Sequence, residues 1–176
     1  MSGFNLLGNN SGNTNTIRSL QRLSGTIAAN ATVLDIPVNE TDRSKTFVLM
    51  DYLPSSTTIA AALVRNALIS NGNLRFLRSN GNSTVNVNAT VVELERGNVQ
   101  FFEIVLPTLT ASIDVTVGEF DPNNSFIVSS YTISGTPSSG QAIGYSIQVI
   151  NSTTIRFINN NLNASKSVNF YVVDLS

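Results

Sequence analysis

From Ile17 onward the chain alternates apolar and polar residues with a period of two, which predicts β-strands. The predicted strands lie near 17–28, 31–38, 45–52, 58–69, 73–79 and 84–95, then 98–106, 110–118, 125–133, 143–150, 153–158 and 166–175. Asn, Gly, Asp-Pro and Ser-Ser separate them, all turn formers. Asn71-Gly72 is a hairpin signal, with Asn151-Ser152 in the matching place later in the chain. The segment from Thr58 to Ser70 is rich in Ala and Leu and would suit a helix by propensity. Its later counterpart alternates Ile143, Tyr145, Ile147 and Val149, so the segment is taken as mostly strand.

The second half of the pattern repeats the first. Asp35-Ile36-Pro37-Val38-Asn39-Glu40-Thr41-Asp42 returns as Asp114-Val115-Thr116-Val117-Gly118-Glu119-Phe120-Asp121, an offset of 79. Thr46-Phe47-Val48-Leu49 returns as Ser125-Phe126-Ile127-Val128 at that same offset. Leu74-Arg75-Phe76-Leu77 and Val91-Val92-Glu93-Leu94 return as Ile155-Arg156-Phe157-Ile158 and Val172-Val173-Asp174-Leu175, at an offset of 81. Asn88 is matched by Asn169. Two residues inserted between Val128 and Tyr145 account for the change. The chain therefore divides into an N-terminal arm, 1–16, a first repeat, 17–95, and a second, 98–176. Only Glu95-Arg96-Gly97-Asn98 joins the repeats, too little for free tumbling.

Short antiparallel strands in each copy imply an all-β chain of two tandem small β-sandwich domains behind an extended arm. The inward residues are expected to be Val33, Ile36, Phe47, Leu49, Leu74, Phe76 and Val92, then Ile113, Val115, Phe126, Val128, Ile155, Phe157 and Val173. Each sandwich is small enough to be marginal alone, so a homo-oligomer is expected.

Composition narrows the function. Charged residues make up only 12% of the 176, against a usual ~25%. The net charge is −1, without a Lys/Arg cluster, which argues against nucleic acid as a partner. No stretch approaches the ~20 apolar residues of a membrane helix, and the first residues have no apolar signal-peptide core. Cys and His are both absent, which removes thiolate chemistry and the commonest general base. With no nucleophile elbow or phosphate loop, neither an enzyme nor a cofactor is expected. The Asn-x-Ser/Thr triplets are what so Asn-, Ser- and Thr-rich a chain holds by chance.

Four features invite a functional reading. The acidic sets Asp35/Glu40/Asp42 and Asp114/Glu119/Asp121 could gather a hard cation, or could make Asx turns and face solvent. Arg75 and Arg156, each within an apolar strand, either face solvent or make an inter-subunit ion pair or hydrogen bond, to Glu93 or Asp174 for example. Tyr131 and Tyr145 flank the inserted Ser134–Gln141 segment, as a sugar platform or as ordinary strand aromatics. The arm is Gly- and Asn-rich, and its apolar Phe4, Leu6 and Leu7 are natural docking anchors, with Ile17 and Arg18 at its root.

The opening Ile17-Arg18-Ser19-Leu20-Gln21-Arg22 with Gly25-Thr26-Ile27, the Asp42-x-Ser44-Lys45-x-Phe47 turn and the closing Val91-Val92-Glu93-Leu94 resemble small β-sandwich modules in structural proteins of tailed bacteriophages. Such modules are similar in outline to H-type lectin folds, which trimerise. The resemblance spans 17–95 closely and 98–176 more loosely, where Gln100-Phe101-Phe102-Glu103 replaces the Gln-Arg opening. It implies a virion location, other virion proteins as partners and a trimer as the favoured oligomer. It also implies a non-enzymatic structural role as capsid decoration, neck or tail exterior, with glycan or host-surface recognition as the alternative.

Overall fold

The computed structural model describes residues 17–55, 63–70, 72–79, 81–134, 144–160 and 162–176. Phe4, Leu6 and Leu7 lie outside these, as does most of the inserted segment. The chain is all-β. The first copy contains β1 (Ile17–Ile27), β2 (Val33–Pro37), β3 (Thr46–Pro54), β4 (Arg65–Ser70), β5 (Asn73–Leu77) and β6 (Val85–Leu94). The second contains β7 (Asn98–Leu106), β8 (Ser112–Thr116), β9 (Ser125–Ser134), β10 (Tyr145–Asn151), β11 (Thr154–Asn159) and β12 (Ser165–Asp174). A single 3-10 turn, Arg43–Lys45, precedes β3.

Each copy is built from two antiparallel three-stranded sheets in the same order. They are β1-β6-β3 over β2-β5-β4, and β7-β12-β9 over β8-β11-β10. In copy one, Val85, Val87 and Val91 of β6 and Val48 of β3 face Leu74 and Phe76 of β5. In copy two, Val168, Phe170 and Val172 face Ile155 and Phe157. These positions were apolar because a strand with one buried face must alternate.

Equivalent polar contacts recur at the offsets found in the sequence. Gln21 receives the Asn39 N–H at 2.7 Å, and Gln100 receives the Gly118 N–H at 2.6 Å. Asp42 accepts the Ser44 N–H at 3.0 Å, and Asp121 accepts the Asn123 N–H at 2.9 Å. The duplication is therefore one of side-chain roles as well as strand order.

Some expectations are corrected. Of the strand expected over 58–69, residues 58–62 lie outside the described residues, and among the rest β4 begins at Arg65. The copy-two hairpin turns at Ser152-Thr153, because Asn151 still pairs with Thr154 and closes an Asx turn onto the Thr153 N–H at 2.9 Å. The joint is residues 95–97, since Asn98 already opens β7. Gly97 sits there at φ 100°, and a Cβ on it would lie 2.6 Å from the Asp174 carbonyl oxygen. Only glycine fits that approach.

Val33, Leu49 and Phe126, expected inside, are 44%, 46% and 37% exposed. On β3 the inward positions are Val48, Met50 and Tyr52, which puts Phe47 and Leu49 on the other face. Phe47 is buried all the same, because its ring meets Phe126 of copy two edge-to-face at 5.4 Å.

Candidate interaction surfaces

The expected chemistry resolves first into scaffold work. Asp35 and Arg75 are directly opposite each other on β2 and β5, and their side chains pair bidentately at 2.7 and 2.8 Å. Asp114 and Arg156 repeat this at the same distances. The hydrogen bonds and charge of each arginine hold its aspartate below the ordinary value of 3.8. The arginines thus pair within the chain rather than with Glu93 or Asp174 of another subunit, because cross-strand register puts Asp35 and Asp114 directly opposite them.

Glu93 and Asp174 instead anchor the turn before the third strand of their copies. Glu93 accepts the Asp42 N–H at 3.1 Å and the Ser19 hydroxyl at 2.9 Å. Asp174 accepts the Asp121 N–H at 3.4 Å and the Ser125 hydroxyl at 3.2 Å. Burial raises the Asp174 pKa, but its hydrogen bonds from Ser176, Asp121 and Ser125 outweigh that and leave it below 3.8. The Asp42 carboxylate is lowered by the Ser44 hydroxyl and N–H. Asp35 and Asp114 thus serve as strand pairs and Asp42 and Asp121 as turn caps, and no three metal-ligating side chains gather among the described residues.

At the root of the arm, Ile17 is 44% exposed opposite Leu94. Arg18 is largely exposed and bridges to Glu93 at 3.3 Å. Arg18, Glu40, Asp42, Arg43 and Glu93 line a polar cleft there. Tyr131 and Tyr145 meet edge-to-face at 5.1 Å, and Tyr145 also leans on Phe157. Burial pushes the Tyr145 hydroxyl up to about 12. Both are half-buried aromatics of β9 and β10, and Tyr131 also lines a cleft with Tyr52 and Val64.

The contact between the copies was not foreseen. The outer face of the β7-β12-β9 sheet packs against copy one, with Val99, Tyr171 and Val173 joining the copy-one core. Asn66, on the free edge of β4, is the polar centre of that contact. Its N–H donates to Ser130 Oγ at 3.1 Å, and its carbonyl accepts the Asn169 amide at 2.7 Å. Its side-chain oxygen accepts the Tyr171 hydroxyl at 3.2 Å. Arg65 reaches Asn169 Oδ1 at 2.7 Å and Glu103 at 3.3 Å. Asn66, Ser130, Asn169 and Tyr171 are all buried. Copy two therefore satisfies the backbone groups that the β4 edge would otherwise leave open.

A sequence signal for this contact existed. β12 has an unbroken apolar run, Phe170-Tyr171-Val172-Val173, where β6 has Ala89-Thr90-Val91-Val92, broken by Thr90. A continuous run marks a strand buried on both faces.

No family model, no curated protein and no solved structure matches this chain.

Proposed function

We propose that the chain is a non-enzymatic structural protein of a tailed-phage virion, a capsid-decoration, neck or tail-exterior component. It docks on other virion proteins through its N-terminal arm and assembles through its sandwiches. One observation carries the structural half of this reading: two charged devices recur at equivalent positions of both copies and do the same internal work. The Asp35–Arg75 and Asp114–Arg156 pairs tie strands together, and Glu93 and Asp174 each hold a turn. Such a chain spends its charge on rigidity and keeps a surface of Asn, Ser and Thr. The virion half is supported by the sequence resemblance and by the exposed arm root at Ile17 and Arg18.

Deleting residues 1–16 should leave the two sandwiches folded, by an unchanged far-ultraviolet spectrum, and abolish incorporation into particles. Normal incorporation of the folded truncation would contradict arm docking.

A further inference from the structure

The internal contact joins two unlike surfaces. Copy one contributes the β4 edge, and copy two contributes the outer face of β7-β12-β9. Each copy carries both surfaces, so one of each is left over: the edge of β10 in copy two, and the outer face of β1-β6-β3 in copy one. We propose that these two unused surfaces bind each other between chains, so that the protein assembles head to tail through the contact that already joins its halves. This gives surfaces to the assembly part of the function proposed above and rests on that part alone.

The edge is open. Ile147 pairs with Phe157 as Asn66 pairs with Phe76, so its N–H and C=O point to the free side as those of Asn66 do. Ile147 makes no hydrogen bond to another element among the described residues. Beside it, Phe126, Ile127, Ile147 and Val149 line an apolar slot between β9 and β10. Phe126 and Val149 are 37% and 42% exposed at its rim.

Among the described residues the face is open, and its chemistry fits. The residues equivalent to Asn169, Ser130 and Tyr171 are Asn88, Asp51 and Thr90, which line one cleft on copy one. Asn88 keeps the amide that donates to the edge carbonyl. Asp51 supplies, like the Ser130 hydroxyl, an acceptor for the edge N–H. Tyr171 met the polar side chain of Asn66, while Thr90 offers a methyl to the apolar Ile147. Leu20 and Leu49 on the same face are 54% and 46% exposed. The foot of the face, Phe47 and Val92, is already buried within the chain, so the contact is centred on Asn88, Asp51 and Thr90. A contact between unlike surfaces propagates into a closed ring or an open filament.

Mixing of two blocked variants tests this by sedimentation velocity on the full chain. Asn88→Lys blocks the face, and Val149→Lys blocks the edge, with Ser146→Lys as a second edge variant if the first folds poorly. The wild type should associate with rising concentration, each variant alone should stay monomeric, and the mixture should give a heterodimer and nothing larger. A wild type that stays monomeric at every soluble concentration would overturn the proposal while leaving arm docking intact. So would association that neither variant disturbs, or a mixture that stays monomeric. Association lost on deleting residues 1–16 but kept in Asn88→Lys would overturn it in favour of the arm as occupant of the slot.

Discussion

β4 and β10 occupy the same place in the two copies and differ in what lies against them. The β4 edge is sealed by Asn169, Ser130 and Tyr171, while the β10 edge meets no other element through Ile147. Duplication made the edges alike, and fusion covered only one of them. The sealed edge explains why Asn66 stands where copy two has Ile147: a position facing a hydrogen-bonding neighbour tolerates an amide, and one facing its own core does not. The same contrast runs along the central strands. β12 carries Tyr171 on the face where β6 carries Thr90, because the β12 face is covered from Asn169 to Val173.

A second difference lies at the far end of each sandwich. In copy one, Arg78 is buried and donates to the Ala31 and Ala28 carbonyls at 2.8 and 2.7 Å. In copy two, Asn159 takes its place and donates to the Pro107 carbonyl at 3.4 Å. The buried cation there is Lys166, at the position of Val85, hydrogen-bonded to Asn159 Oδ1. Burial lowers the pKa of both cations. The carbonyl contacts come from the same position in both copies, while the buried positive charge moves to β12 in copy two.

The largest effect that should separate the copies is at Tyr171. Tyr171→Ala removes a side chain 2% exposed and should cost about 3–5 kcal/mol in urea unfolding. Thr90→Ala, at the equivalent site, should stay within about 0.5 kcal/mol. Similar losses at the two sites would mean that the faces are not differently covered.

The next is at the paired asparagines. Asn169→Leu strands the Asn66 carbonyl and one Arg65 hydrogen bond, and should cost about 1–3 kcal/mol. Asn88→Leu, on an exposed surface, should be near neutral in the dilute chain.

The smallest effect is one on which the copies should agree. Asp35, Asp42, Asp114 and Asp174 all ionise below 3.8 in the folded chain. A carboxylate of this kind stabilises the fold fully above its unfolded value of about 3.9, and that contribution disappears as the pH falls through the lower native value. The urea midpoint should therefore drop on acidification below about pH 4. Asp35→Asn and Asp114→Asn should each remove a small and equal part of that drop. Unequal effects would show that the two cross-strand pairs do different work.

Much of the fold was legible from the chain alone. The twelve strands of the described residues and the repeat could be read because each strand with one buried face must alternate. Leu74, Phe76, Ile155 and Phe157 lie inside as their spacing required. Errors arose where two faces are buried or where the contact joins distant residues. Phe47 and Val48 are both buried, so parity along β3 could not be set from Phe47. The partners of Arg75 and Arg156 depended on register across β2-β5 and β8-β11, which no local pattern encodes. The Asn66 contact joins positions 103 and 105 residues apart, beyond the reach of any local motif.

Amide hydrogen exchange at the two equivalent edge residues tests the sealed-and-open contrast most directly. In a chain diluted enough to be monomeric, the Asn66 N–H, which donates to Ser130, should exchange only with global opening. The Ile147 N–H should exchange far faster. Equal rates at the two positions would contradict the account.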